Sequence, residues 1–190
     1  MEWLWNWDHA VQFRLNHAPH SEFFDGLFRL VTYLGLDQVL IPIILALILT
    51  KSTRSTGFTC FVAYAIAGIS SIILKRLAPR LRPGNWPDTL VAPDERIFHN
   101  SFPSGHTVIA FAAALAFVLS YRGSHWKKWS AVALMLACAV GFSRIYRGVH
   151  WPTDVLASIA VGFLAALSAN AIIRRRLAGA ARPRPSKEPA

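Results

Sequence analysis

Uncharged runs alternate with short charged stretches along most of this chain. Residues 57–74 and 155–173 contain no Asp, Glu, Lys or Arg, and a helix of either length covers roughly 30 Å of hydrocarbon. Residues 107–121 and 129–143 are shorter uncharged runs whose flanks can extend each helix into the interface, and a fifth run, 30–50, is interrupted only by Asp37. Five such runs in succession fit poorly with the buried helices of a soluble protein. They predict an all-α, integral-membrane helical bundle of five or six spans. Ahead of them, Leu4, Trp7, Val11 and Leu15 recur at helical spacing while Glu2, Asn6, Asp8 and Gln12 lie elsewhere. That pattern predicts an N-terminal interfacial helix within residues 1–20, its tryptophans at headgroup level; a helix packed on its neighbours is the alternative.

The connection from Lys75 to Ser104 is the longest polar segment, with Pro79, Pro83, Gly84, Pro87 and Pro93 among its charges. Prolines so spaced break helices, and a loop this long in so short a chain points to function. Residues 1–178 therefore read as one membrane-embedded domain with its site loop at 75–104. Residues 179–190 read as a disordered basic tail.

Composition sharpens the picture. The 190-residue chain is 54% hydrophobic and carries a formal charge of +10. A basic chain can bind nucleic acid, but here the cations Lys51 and Arg54, Arg122, Lys127 and Lys128, and Arg174 to Arg176 fall in alternate connections and the C-terminal segment. The positive-inside rule assigns those to the cytoplasm. No nucleic-acid partner is expected; the expected partners are membrane lipids. The same rule puts the 75–104 loop and residues 144–154 outside, although these too are basic. Cys60 and Cys138 fall within expected spans and suggest packing, with no disulfide framework. No cleavable signal peptide is visible.

Three fragments concentrate chemistry: KRLAPRLRP from Lys75, PSGH from Pro103 and SRIYRGVHWPTD from Ser143. Lys75, Arg82 and Arg144 can cradle phosphate oxygens, guanidinium by parallel hydrogen bonds and ammonium as a point charge. Ser104 suits a helix N-cap, Gly105 lets a ligand approach the backbone, and His106 would face an anion held at that helix start. Asp154, four residues after His150, can accept from one ring nitrogen, fixing the tautomer and leaving the other nitrogen free to attack. The same pair could orient a metal-ligating histidine, but three cations and no further carboxylate or cysteine cluster accompany it, so no metal is expected.

Taken in order, Lys75 with Arg82-Pro83, then Pro103-Ser104-Gly105-His106, then Ser143-Arg144, His150 and Asp154 resemble the three signatures of the type 2 phosphatidic acid phosphatase (PAP2) superfamily, in its membrane-bound branch. The resemblance implies that His150 is the nucleophile of a phosphohistidine mechanism, that Asp154 orients it and that His106 protonates the leaving oxygen and then activates water. It also implies that Lys75, Arg82, Ser104, Gly105 and Arg144 bind the phosphate, with no metal or organic cofactor. The short chain and N-terminal helix are similar in layout to bacterial undecaprenyl-diphosphate phosphatases. That similarity implies undecaprenyl diphosphate as substrate and a bacterial cytoplasmic membrane with the site on its external face. Phosphatidate, phosphatidylglycerophosphate and lipid A phosphates stay open, as do a haloperoxidase-like enzyme and a non-catalytic lipid-binding protein. Arg80, Arg96 and Arg147 could hold a second phosphate or pair with Asp88, Asp94 and Glu95. Of the histidines outside the signatures, His9, His17, His20, His99 and His125, only His99 lies close enough in sequence to His106 to approach a headgroup.

Overall fold

A computed structural model describes residues 2–18 and 21–180, and every described regular segment is helical. Seven α-helices follow in order: α1 (Glu2–Asn16), α2 (Glu22–Tyr33), α3 (Asp37–Leu49), α4 (Arg54–Leu77), α5 (Gly105–Ser120), α6 (Trp126–Tyr146) and α7 (Pro152–Ala180). A single 3-10 turn, Pro83–Asn85, interrupts the long loop. Helix α7 continues through Gly179 and Ala180; the remainder of the expected tail, 181–190, lies outside the described residues, as does His20.

Among the described residues, α4, α6 and α7 are long and apolar enough to cross a membrane. The 30–50 run is not one straight span. It divides between α2 and α3, which meet at an angle of 51° and pass the same test only as a pair. The break has a local cause: Leu34, Gly35 and Leu36 donate to carbonyls three residues back, tightening the end of α2. Gly35 also sits against α5, where an added Cβ would lie 2.9 Å from the His106 Cβ. Asp37 then opens α3, its carboxylate accepting from the Tyr64 hydroxyl at 2.8 Å.

Helix α5 is the central post, packed on α4, α6 and α7. Sixteen residues rise only about 24 Å, and its Thr107–Ala114 stretch is buried throughout. Small residues let the backbones close: an added Cβ on Gly162 of α7 would lie 2.9 Å from the Val108 carbonyl oxygen of α5. Outward faces are apolar, including Ile69 and Ile72 on α4, Met135 on α6 and Leu164 on α7. Such exposed apolar faces are what lipid solvates.

Helix α1 inverts the usual pattern. Its buried residues are Asp8, Gln12 and Asn16, one per turn on a single face, while Trp3, Trp7 and Phe13 are exposed. The polar stripe therefore faces protein. Asn16 closes it by donating to the carbonyls of Leu90 and Tyr146 and accepting from the Leu90 N–H.

Candidate active site

The C-termini of α4 and α6 and the N-termini of α5 and α7 meet at one end of the bundle, joined by the 78–104 loop and by residues 147–151. Gly148 makes the second connection possible. It adopts φ +70°, and an added Cβ would lie 2.4 Å from the Leu90 carbonyl oxygen. Two residues later His150 is buried.

His150 precedes the first turn of α7, which starts at Pro152. Asp154, in that first turn, is fully buried, and its Oδ2 accepts the Ser101 hydroxyl and, at 3.0 Å, the Trp151 N–H. This reach back to the residue before the helix is capping-box geometry. His150 Nδ1 lies 3.7 Å from the same oxygen, longer than a hydrogen bond, and has no hydrogen-bond partner among the described residues. On the ring's other side Nε2 lies 3.4 Å from Arg82 Nη1. A guanidinium only donates, so Nε2 is the lone-pair nitrogen and the proton belongs on Nδ1, toward Asp154.

Arg82 is held by carbonyl groups, with Nε donating to His99 at 2.9 Å and Nη1 to Val149 at 3.2 Å. Burial and the nearby Arg144 lower it to about 10, so it stays charged at neutral pH. Burial drives His150 the same way, to about 3; Asp154 pulls against this, while Arg82 and Arg144 add to it. The imidazole is therefore neutral in the resting protein.

The other expected residues arrive at the same end. Lys75 donates to the carbonyls of Asn100 and Pro103 at 3.0 and 2.7 Å, tying the α4 terminus to the start of α5. Ser104 precedes α5 as its N-cap by position, but its side chain makes no capping bond. Instead its hydroxyl accepts from Thr107, and its N–H donates to Ser158, whose hydroxyl bonds the Asp154 carbonyl. Gly105 opens α5, 3.8 Å from the Ser71 hydroxyl when a Cβ is added. His106 is half-buried in the same turn, facing Arg144, Glu95 and Arg82.

Arg144 is buried and already engaged. It bonds both carboxylate oxygens of Glu95 and the Thr32 hydroxyl, and among the described residues its buried Nε has no hydrogen-bond partner. Arg147 bonds Glu95 at 2.7 Å and Asp94 at 2.6 Å. Burial alone would raise Glu95; the Arg144 bonds and charge, then those of Arg147, outweigh it and hold Glu95 at about 2.

Ser101 was not singled out by the sequence, and Arg80 and Asp8 were not read as partners of the His–Asp pair. Ser101 and Arg80 hold Asp154, and Asp8 of α1 holds Arg80. The Asp8, Gln12 and Asn16 spacing on an otherwise aromatic helix was the available signal. The His99 ring is exposed, and it is this residue's carbonyl that meets Arg82. His9 packs among Trp5, Trp86 and Trp151. Among the described residues no group of three or more His, Cys, Asp or Glu is placed to hold a metal ion.

A buried His–Asp pair facing a cluster of cations at one end of an apolar helical bundle defines an integral-membrane protein built to handle an anion. Residues 56–178 match the model of the PAP2 superfamily, and the chain belongs to that superfamily. It is 29% identical over 108 residues to an undecaprenyl-diphosphatase of Sulfolobus acidocaldarius, covering 57% of this chain. The match spans 52% of that curated relative's length. Among solved structures, LpxE of Aquifex aeolicus is 28% identical with a TM-score of 0.73, covering 84% of this chain and 93% of that one. A transmembrane PAP2-type phosphatidylglycerolphosphate phosphatase of Bacillus subtilis shares the fold at TM-score 0.76 and 23% identity, covering 92% of this chain and 88% of that one.

Proposed function

We propose that this protein is a metal-independent membrane lipid phosphatase, with the placement of His150 between Asp154 and Arg82 as the observation that carries the reading. Nε2 of His150 attacks phosphorus, the bond to the lipid oxygen breaks, and His106, entering this step as the imidazolium, donates the proton that oxygen takes up and is left neutral. Asp154 faces the imidazolium side and stabilises the charge formed there. Arg82, Lys75 and Arg144, with the Ser104 and Gly105 backbone at the start of α5, neutralise the phosphoryl oxygens. His106 then takes a proton from water, which attacks the phosphohistidine and releases inorganic phosphate.

Undecaprenyl diphosphate is the proposed substrate, supported by the name of the Sulfolobus relative. A bacterial cytoplasmic membrane with the site external follows from the same reading and from the cations on the connections at the bundle's other end. A second reading, hydrolysis of a lipid phosphomonoester such as phosphatidate or phosphatidylglycerophosphate, is favoured by one observation: Arg80 and Arg147, two candidates for a second phosphate, are both occupied by acids.

Phosphate release by purified protein from the three lipids, in EDTA, tests both readings. Turnover that persists in chelator and disappears in His150→Ala is the expected result, and the ranking of lipids decides the substrate. Turnover unchanged in His150→Ala would overturn the mechanism.

A further inference from the structure

Asp8 lies on α1, outside the 56–178 region that matches the family, yet it is 1% exposed and reaches the helix that carries Asp154. Its Oδ1 accepts the Thr153 N–H at 2.9 Å and its Oδ2 the Thr153 hydroxyl at 2.6 Å, satisfying the first turn of α7. The same Oδ2 accepts Arg80 Nη2 at 2.5 Å. Arg80 Nη1 then donates to Asp154 Oδ1 and to Thr153 Oγ1, both at 2.7 Å. One guanidinium is thus clamped between two buried carboxylates from opposite ends of the chain.

The geometry points to Asp8, acting through Arg80, as a positioning residue for the His150–Asp154 pair. Two consequences support that role. Arg80 takes Asp154 Oδ1, so Oδ2 is the oxygen left to face His150, and the carboxylate cannot rotate without breaking a charge-assisted bond. The charges matter equally. Arg80 alone would cancel Asp154, whereas Asp8, Arg80 and Asp154 together sum to one negative charge, the charge a developing imidazolium requires. Lys75 from α4, Arg82 from the loop and Arg144 from α6 also face the pair, and His9 of α1 packs on Trp151 beside it. Removing one acid therefore leaves a surplus of positive charge around His150.

This inference rests on His150 being the nucleophile, and the experiment separates the two. Asp8→Asn keeps an acceptor for the Thr153 N–H, and so the helix cap, while discarding the charge. In full-length protein assayed on the lipid with the highest turnover, it is expected to lower kcat about tenfold while leaving KM within about twofold, because Asp8 bonds Thr153 and Arg80, neither of which is in the proposed phosphate cradle. The acid limb of kcat/KM should move to lower pH in Asp8→Asn, since added positive charge makes His150 harder to protonate. It should move to higher pH in Arg80→Gln. In the double variant Asp8→Asn/Arg80→Gln it should return close to its original position, and Asp8→Glu should recover more turnover than Asp8→Asn. A role limited to packing gives none of these opposed shifts. The inference is overturned if kcat is unchanged in Asp8→Asn, if KM takes the whole effect, or if the two single variants shift the limb in the same direction. Any of these with His150→Ala inactive removes only the role of Asp8; turnover retained in His150→Ala removes the underlying mechanism.

Discussion

Glu95 meets Arg144 edge on, two carboxylate oxygens against the two terminal nitrogens of a buried guanidinium. A phosphate binding the same fork competes with that carboxylate. Glu95→Gln is therefore expected to strengthen inhibition by inorganic phosphate several-fold. It should also destabilise the fold, because Arg144 and Arg147 lose the acid between them and breaking a buried pair costs roughly 3–5 kcal/mol. Phosphate inhibition constants and thermal melts of the two proteins check both halves; weaker inhibition with an unchanged melt would contradict them.

Stability should fall with acidity in two separable stages. His150 is held at about 3 against an ordinary 6.5, so the unfolded chain takes up a proton that the folded one refuses. That loss runs from about pH 6.5 down to about pH 3. Glu95 is held at about 2 against 4.5; its contribution is complete above about pH 4.5 and disappears as pH falls through about 2. Melting temperature against pH in His150→Gln should lose the upper stage and keep the lower, and Glu95→Gln should do the reverse.

Ser101 donates to Asp154 Oδ2 at full burial, sharing that oxygen with the Trp151 N–H. Losing a bond to a buried carboxylate costs about 1.5–3 kcal/mol. Ser101→Ala should lower kcat by about tenfold or more with KM nearly unchanged. Steady-state kinetics decide this, and a change confined to KM would place Ser101 against the substrate instead.

The α5–α7 contact sets the separation of the elements bearing His106 and Asp154. At Gly162 an added Cβ meets the Val108 carbonyl oxygen at 2.9 Å and the Ala112 nitrogen at 3.0 Å, both backbone atoms. Gly162→Val must push the helices apart, at a cost of about 1–3 kcal/mol. A lower melting temperature with reduced turnover is expected; wild-type values for both would show that the contact yields freely.

Uncharged runs announced the long helices because lipid solvation imposes a coarse pattern on sequence, and α4, α6 and α7 each contain the run that predicted them. The α2–α3 bend was not legible: the tightened turn at Leu34–Leu36 and the approach of Gly35 to α5 leave no mark in local hydropathy. Lys75, Arg82, Arg144, His150 and Asp154 stood out by charge and spacing. Their counterparts were less legible: Glu95 was readable as an acid for Arg147 and Arg80 as a loop cation, but the contacts of Glu95 with Arg144 and of Arg80 and Ser101 with Asp154 exist only once the fold brings them in. Asp8 showed as a polar position on an aromatic helix, and an isolated helix does not say which face meets protein.

Thr153 lies 145 positions after Asp8, so during synthesis Asp8 of α1 waits for its partner until α7 is made. A ribosome that stops before α7 leaves Asp8 without the helix it caps and Arg80 without half of its clamp. The order of translation thus makes synthesis of α7 a condition for closing the site.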